Sequence, residues 1–340
     1  MTISYRTRKR LTGLGIAALI VAAVALVLWL CWIVWVGRYM VYHRDGPRLE
    51  FDLPDNTATG VIAKPPVEKE PVHVVYNEPE IDVPIVEVVP TSISGYYIDL
   101  EKGIPQIMNQ LEKLDAGTAV LLDVKNIKGQ FYYTSKISDK HPNDMNIDDM
   151  DRLMEYLLSS DLYLIARLPA LRDYYFGLDN VPCGLPKKNG NGSLWPDDTG
   201  CYWLDPTKDG TIEYLTHQAL ELRLMGFDEV VFTDFRFPNT DKVEFEEELK
   251  PQAIADAAAT LVSKLTTDGF FVSFQSEDVA FPLPAGNSRL YLTDIPAAEV
   301  STVVEQVVTP DPALHLMFLT TVNDTRFNDY CVLRPLENAY

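Results

Sequence analysis

The sequence predicts an α/β fold: a (β/α)8 TIM-like barrel with a compressed second half, preceded by one transmembrane helix and a Pro-rich linker. Strand and helix signals alternate from residue 92 onward. Eight strand candidates fit into about 250 residues, the usual size of such a barrel. The best strands are continuous apolar runs, as expected for parallel strands covered on both faces. An open doubly wound sheet is the alternative arrangement.

The amino-terminal third divides into three parts. Residues 1–10 form a basic tail with Arg6, Arg8, Lys9 and Arg10. Leu11 to Val36 is 26 residues without a charge. At about 1.5 Å per residue it is long enough for a hydrocarbon core of about 30 Å. Trp29, Trp32, Trp35 and Tyr39 gather towards one end, as interfacial aromatics do. The basic tail predicts a single-pass cell-membrane protein with a cytoplasmic amino terminus and an extracytoplasmic carboxy-terminal domain. A cleaved signal peptide would have a shorter apolar core and a small-x-small site. Residues 37–91 carry Pro47, Pro54, Pro65, Pro66, Pro71, Pro79, Pro84 and Pro90 among acidic residues, which predicts an extended linker.

Residues 92–340 carry the barrel signals. Strands are expected at 94–98, 118–122, 162–168, 229–233, 269–275, 289–293, 314–319 and 330–333. Amphipathic helices are expected near 104–114, 147–158, 212–225, 251–267 and 297–307. No clear helix separates the strands near 272 and 291. The net charge of −20 argues against nucleic acid as a partner, since phosphate binding needs Lys/Arg patches.

The stretch Gly226-Phe-Asp-Glu-Val-Val-Phe-Thr-Asp234-Phe-Arg236-Phe-Pro238 organises the reading. A buried strand delivers Asp234 at its carboxyl end, where parallel α/β folds place their chemistry. Arg236 stands two residues on and could hold that acid ionised. Asp123 ends a neighbouring strand and would face the same end, unless Lys125 or Arg167 pairs it as a rim contact. Asp294 follows Thr293 in the same way, although a helix cap before Ile295-Pro296 explains it equally well. Glu277 and Asp278 follow the strand ending at Gln275. Asp234, Asp123 and Asp294 are therefore the catalytic candidates.

Arg167, Arg236, Tyr97 and Lys125 are candidates for binding substrate around those acids. The long loop from 169 to 210 adds Trp195, Tyr202 and Trp203, which could stack on a ring-shaped ligand or form a small core under the loop. Cys183 and Cys201 bracket 17 residues of this loop. Outside the cell they could form a disulfide worth about 3 kcal/mol; two free thiols are the alternative. Neither Cys-x-x-Cys nor His-Glu-x-x-His spacing occurs, so no metal or other cofactor is expected.

Four runs resemble one family. Thr118-Ala-Val-Leu-Leu-Asp-Val-Lys125 with Gly129 and Tyr132-Tyr133 is similar to its "NAVVIDVKD…G…Y" segment. Leu164-Ile-Ala-Arg167 is similar to "VIAR", and Trp203-Leu-Asp-Pro206 to "WVDP". Gly226 to Pro238 resembles "GFDEIQFDYVRFP". This is the glycoside hydrolase-like family of the DUF4015 type. The resemblance implies a TIM-barrel glycosidase and a poly- or oligosaccharide as ligand. The family's Met-x-Tyr-Pro-Ser strand has no counterpart here, so the resemblance does not supply a second catalytic carboxylate. The expected function is a membrane-anchored glycoside hydrolase acting on an envelope or external polysaccharide. The alternative is an inactive carbohydrate-binding or structural envelope protein on the same barrel.

Overall fold

A computed structural model describes residues 92–266, 269–309 and 311–339, together with Trp29 and two short amino-terminal strands. Those two strands, Met40–His43 and Gly46–Leu49, form an antiparallel ladder at the start of the segment expected to be linker. Apart from Trp29, the expected membrane helix at 11–36 lies outside the described residues, as does most of the linker. Among the described residues no helix is long and apolar enough to cross a membrane.

The rest is a closed barrel of eight parallel strands. They are β1 (Ser94–Tyr97), β2 (Ala119–Asp123), β3 (Tyr163–Pro169), β4 (Glu229–Thr233), β5 (Phe271–Gln275), β6 (Leu290–Thr293), β7 (Leu316–Leu319) and β8 (Cys331–Pro335). Each pairs with the next, and β8 pairs with β1 to close the ring. The closure excludes the open doubly wound sheet. Gly95 is required at the β1–β2 contact: a Cβ there would sit 1.9 Å from the Ala119 carbonyl oxygen.

Helices α1 (Ile104–Leu111), α2 (Ile147–Leu158), α3 (Tyr174–Asp179), α4 (Asp209–Met225), α5 (Lys250–Leu265), α6 (Val300–Gln306) and α7 (Pro312–His315) supply the outer layer. Each long helix has a local cause. Helix α2 starts with Asp148 and Asp149 against its positive end and buries Met150, Leu153, Met154 and Leu157 on one face. Helix α4 stops at Gly226, whose φ of 119° an L side chain rarely adopts. Helix α5 starts with Pro251, tolerated in a first turn where the missing N–H is not needed. No helix separates β5 from β6, and only a short 3-10 turn, Thr325–Phe327, separates β7 from β8. The second half is compressed, as the sequence predicts.

Alternate strand residues face opposite ways. Val120, Leu122, Val230, Phe232 and Phe274 pack outward against the helices. Leu121, Ile165, Val231, Met317 and Leu333 fill the inside. The amino-terminal end of the barrel is closed by a buried charge. Glu229, at the start of β4, is fully buried and pairs with Arg289 at 2.5 Å. Tyr163, Tyr291 and Ser273 also donate hydrogen bonds to its carboxylate. The Arg289 guanidinium lies on the Phe271 ring at 3.9 Å. Cutting such a pair leaves one buried charge without its counter-ion. We expect Arg289→Met to lose about 3–5 kcal/mol of stability, read from denaturant unfolding. A loss below about 1 kcal/mol would show that the plug is dispensable.

Candidate active site

The carboxyl ends of β2 to β6 surround an open cleft of about 460 Å³. Asp123, Tyr132, Arg167, Asp234, Gln275 and Glu277 line it. Asp234 follows β4 directly, with a φ of 50°. Left-handed backbone is uncommon for residues other than glycine, although Asp tolerates it better than most. Among the described residues no group donates a hydrogen bond to its carboxyl. Burial pushes that carboxyl above its ordinary pKa, and the negative charges of Asp197 and Glu277 act in the same direction. The guanidinium charges of Arg172 and Arg236 pull the other way and do not cancel it.

The expected pull of Arg236 on the Asp234 carboxyl is present but smaller than the effect of burial. Arg236 is exposed, and its guanidinium lies over the Trp203 ring at 5.2 Å. Arg172 approaches the same ring at 5.6 Å and binds Asp197, with Nε–Oδ2 at 2.7 Å. Asp197 also accepts from the Trp203 indole, from Thr199 and from the Cys201 amide. These hydrogen bonds outweigh desolvation and hold the Asp197 carboxyl below its ordinary pKa.

Asp123 has the rim pairing that its neighbours allowed. It stands opposite Arg167 in the β2–β3 register. Arg167 grips both its oxygens, Nε to Oδ1 at 2.6 Å and Nη2 to Oδ2 at 2.8 Å. The same guanidinium donates to Gln275 Oε1 at 3.2 Å. Both oxygens of the Asp123 carboxylate are thus taken up by one guanidinium, a bidentate and charge-assisted arrangement. Glu277, on the loop after β5, is exposed at the cleft and close enough to Asp234 to act on its charge.

The other candidates lie elsewhere. Asp294 repeats the Asp234 backbone, with a φ of 57°, but it is exposed and does not line this cleft. It caps no helix, because Pro296 is the residue that precedes the next turn. Tyr97 lines a smaller cavity of about 170 Å³ with Asp99 and Lys102. Trp203, only 4% exposed, forms a satellite core with Leu185 and Val243, and Trp195 packs against it. Tyr202 stacks on Tyr174 with ring centroids 5.6 Å apart. None of these three aromatics lines the cleft. Lys125 touches the cleft, but its side chain is fully buried and its ammonium group binds Asp173 at 2.9 Å.

Cys183 and Cys201 are free thiols, which corrects the expected disulfide. The ladder register separates them: Gly184 stands opposite Leu204, and the Asp205 amide bonds the Cys183 carbonyl. Cys201 pairs instead across a tight turn with Asp197. Four residues of extended chain are ~13 Å, beyond the reach of a disulfide.

Two ion pairs beside the cleft had weak signals in the sequence. Asp197-Asp-Thr-Gly200 is a turn pattern, Asp first and Gly fourth, but nothing in it indicates that Asp197 would bind Arg172. Asp173 sits before an aromatic run and gives no hint that it would receive a buried lysine.

The sequence matches the profile of a family described as "DUF4015: Putative glycosyl hydrolase domain" over residues 93–275, just over half of the chain. The chain belongs to this family. The matched DUF4015 span covers β1 to β5 and includes Asp123, Arg167 and Asp234. None of the curated proteins compared matches the sequence. Solved structures with the same fold include the glycoside hydrolase domain of PgaB (BpsB) from Bordetella bronchiseptica. It is 12% identical, with a TM-score of 0.51 over 72% of this chain and 94% of that one. The glycoside hydrolase domain of PelA from Pseudomonas aeruginosa is 14% identical, with a TM-score of 0.43 over 72% and 95%. A hypothetical protein from Ruminiclostridium thermocellum is 21% identical, with a TM-score of 0.44 over 53% and 96%. At these identities the likeness concerns the fold, and it rests on the first of the three.

The raised pKa of Asp234 makes a stability prediction. A carboxyl that is harder to ionise in the folded state favours folding below its unfolded pKa, and that contribution is lost as pH rises through the folded value. Asp234→Asn removes the ionisation. The variant should therefore melt above the wild type at neutral pH, with the difference closing below about pH 4. Thermal unfolding at both pH values checks this; a variant less stable at neutral pH would contradict it.

Proposed function

We propose that this chain is a glycoside hydrolase in which Asp234 protonates the glycosidic oxygen and Glu277 is the second carboxylate. Glycosidases typically divide their chemistry between an acid held protonated and an acid held ionised. The observation that carries the reading is the Asp234 carboxyl: raised by burial, without a hydrogen-bond donor among the described residues, in an open cleft beside Glu277. Asp123 fits the second role less well, since Arg167 occupies both its oxygens. Membership of the DUF4015 family supports carbohydrate as the substrate class. The uncharged stretch from Leu11 to Val36 supports a membrane-anchored enzyme whose barrel faces an envelope or external polysaccharide.

Hydrolysis of a panel of envelope polysaccharides and chromogenic glycosides tests the chemistry. Asp234→Asn should lower turnover by about 10²–10⁴-fold, the range of general acid–base help, and Glu277→Gln by a similar factor. Turnover that survives Asp234→Asn would remove this residue from the mechanism. A wild type that binds glycans and cleaves none would assign the barrel a binding role instead. Placement is tested separately. The protein should stay with membranes through alkaline carbonate washing, and protease added outside intact cells should digest the barrel; release by carbonate would contradict the anchor.

A further inference from the structure

We propose that Lys125 is a positioning residue that fixes Asp234 from beneath the cleft floor without touching substrate. The inference rests on the reading of Asp234 given above, and it begins with the way the β2–β3 ladder ends. The Val124 amide bonds the Arg167 carbonyl. In a parallel ladder the next donor on β2 is two residues on, so the Asn126 amide would bond the Pro169 carbonyl. Instead the Asn126 amide turns back to Gln130. The Lys125 ammonium takes the place of that missing donor and bonds the Pro169 carbonyl at 3.1 Å.

That carbonyl belongs to the last residue of β3, which stands opposite Thr233. One residue further, the Ala170 amide bonds the Thr233 carbonyl at 2.8 Å, a rung next to Asp234. A residue in left-handed backbone keeps that conformation only where its surroundings hold it. Here the holding rung hangs on a strand end that a buried lysine pins.

The lysine is itself held on several sides. Asp173 binds it at 2.9 Å, and Gln218 Oε1 accepts from it at 3.3 Å. Its charge lies 5.0 Å from the Tyr214 ring centroid. Asp173 is fixed in turn by the Phe176 amide and the Tyr214 hydroxyl. Gly129 gives it room: a Cβ there would stand 2.2 Å from Asp173 Oδ1. An unpaired charge at this depth would be costly, so the pair is best removed together.

The test is the titration of Asp234 itself, followed by side-chain carboxyl ¹³C signals and assigned by comparison with Asp234→Asn. The charged groups acting on it, Arg172, Arg236, Asp197 and Glu277, all stay in place. The variant is Lys125→Met with Asp173→Asn, which removes one charge of each sign. If Lys125 holds the site, the freed Asp234 carboxyl relaxes towards water. Its midpoint should then fall towards the ordinary carboxylate value by about half a unit or more. An unchanged midpoint in the folded double variant would overturn the proposal. Should that variant fail to fold, Lys125→Arg keeps the charge but displaces the donor, and the same shift or its absence decides. No substrate enters the measurement, so it stands apart from the hydrolysis assay. Loss of the tie and loss of the catalytic reading give different results.

Discussion

An arginine that points into the mouth of a barrel must meet a counter-charge, and that requirement sets the rest of this site. Arg167 faces inward from β3, and the carboxylate opposite it in the register is Asp123. The two close on each other through two hydrogen bonds. The pair neutralises the acid on β2 and leaves the acid on β4 in a different situation. Asp234 has space, partial burial and a carboxylate neighbour, which together raise its affinity for a proton. Two aspartates at equivalent strand ends thus stand in different surroundings: one is gripped by a guanidinium, and the other has no hydrogen-bond donor among the described residues.

The same rule recurs through the domain. Glu229 is buried against Arg289 at the closed end, and Lys125 against Asp173 beside the cleft. Much of the family pattern is accounted for by such scaffolding. Asp228 accepts from the Leu164 amide, Phe235 packs with Phe274 and Phe281, and Asp205 accepts from the Thr207 amide and hydroxyl ahead of α4. Of the run from Gly226 to Pro238, Thr233, Asp234, Phe235 and Arg236 line the cleft, and Asp234 is the acid among them. A motif can therefore identify a family chiefly through residues that build the wall around its cleft.

The barrel was legible in the sequence because parallel strands covered on both faces leave unbroken apolar runs, and the absent helix between β5 and β6 was legible as missing periodicity. Asp234 was legible because a strand end followed by Pro238 marks a face of the barrel. The partners were not. Whether Asp123 meets Lys125 or Arg167 depends on register, which a strand signal does not specify. The burial of Lys125 depends on Asp173 arriving from another loop. The three loop aromatics are compatible with a sugar platform or a satellite core, and packing of Trp203 against Leu185 and Val243 chose the latter. The cysteine separation follows from a hairpin at 197–201 that shifts one thiol several residues along its ladder.

The seam between β8 and β1 has a consequence for how the chain is made. Its contacts join positions far apart in sequence; the Ile93 amide reaches the Cys331 sulfur across 238 residues. During synthesis the first strand is available long before its last neighbour, so the nascent barrel is a curved sheet with two unsatisfied borders. Such borders recruit other chains. Strand β8 is thus a guard against self-association as much as a piece of wall, and a ribosome that stalls before it would release a sticky, open gutter in place of a ring.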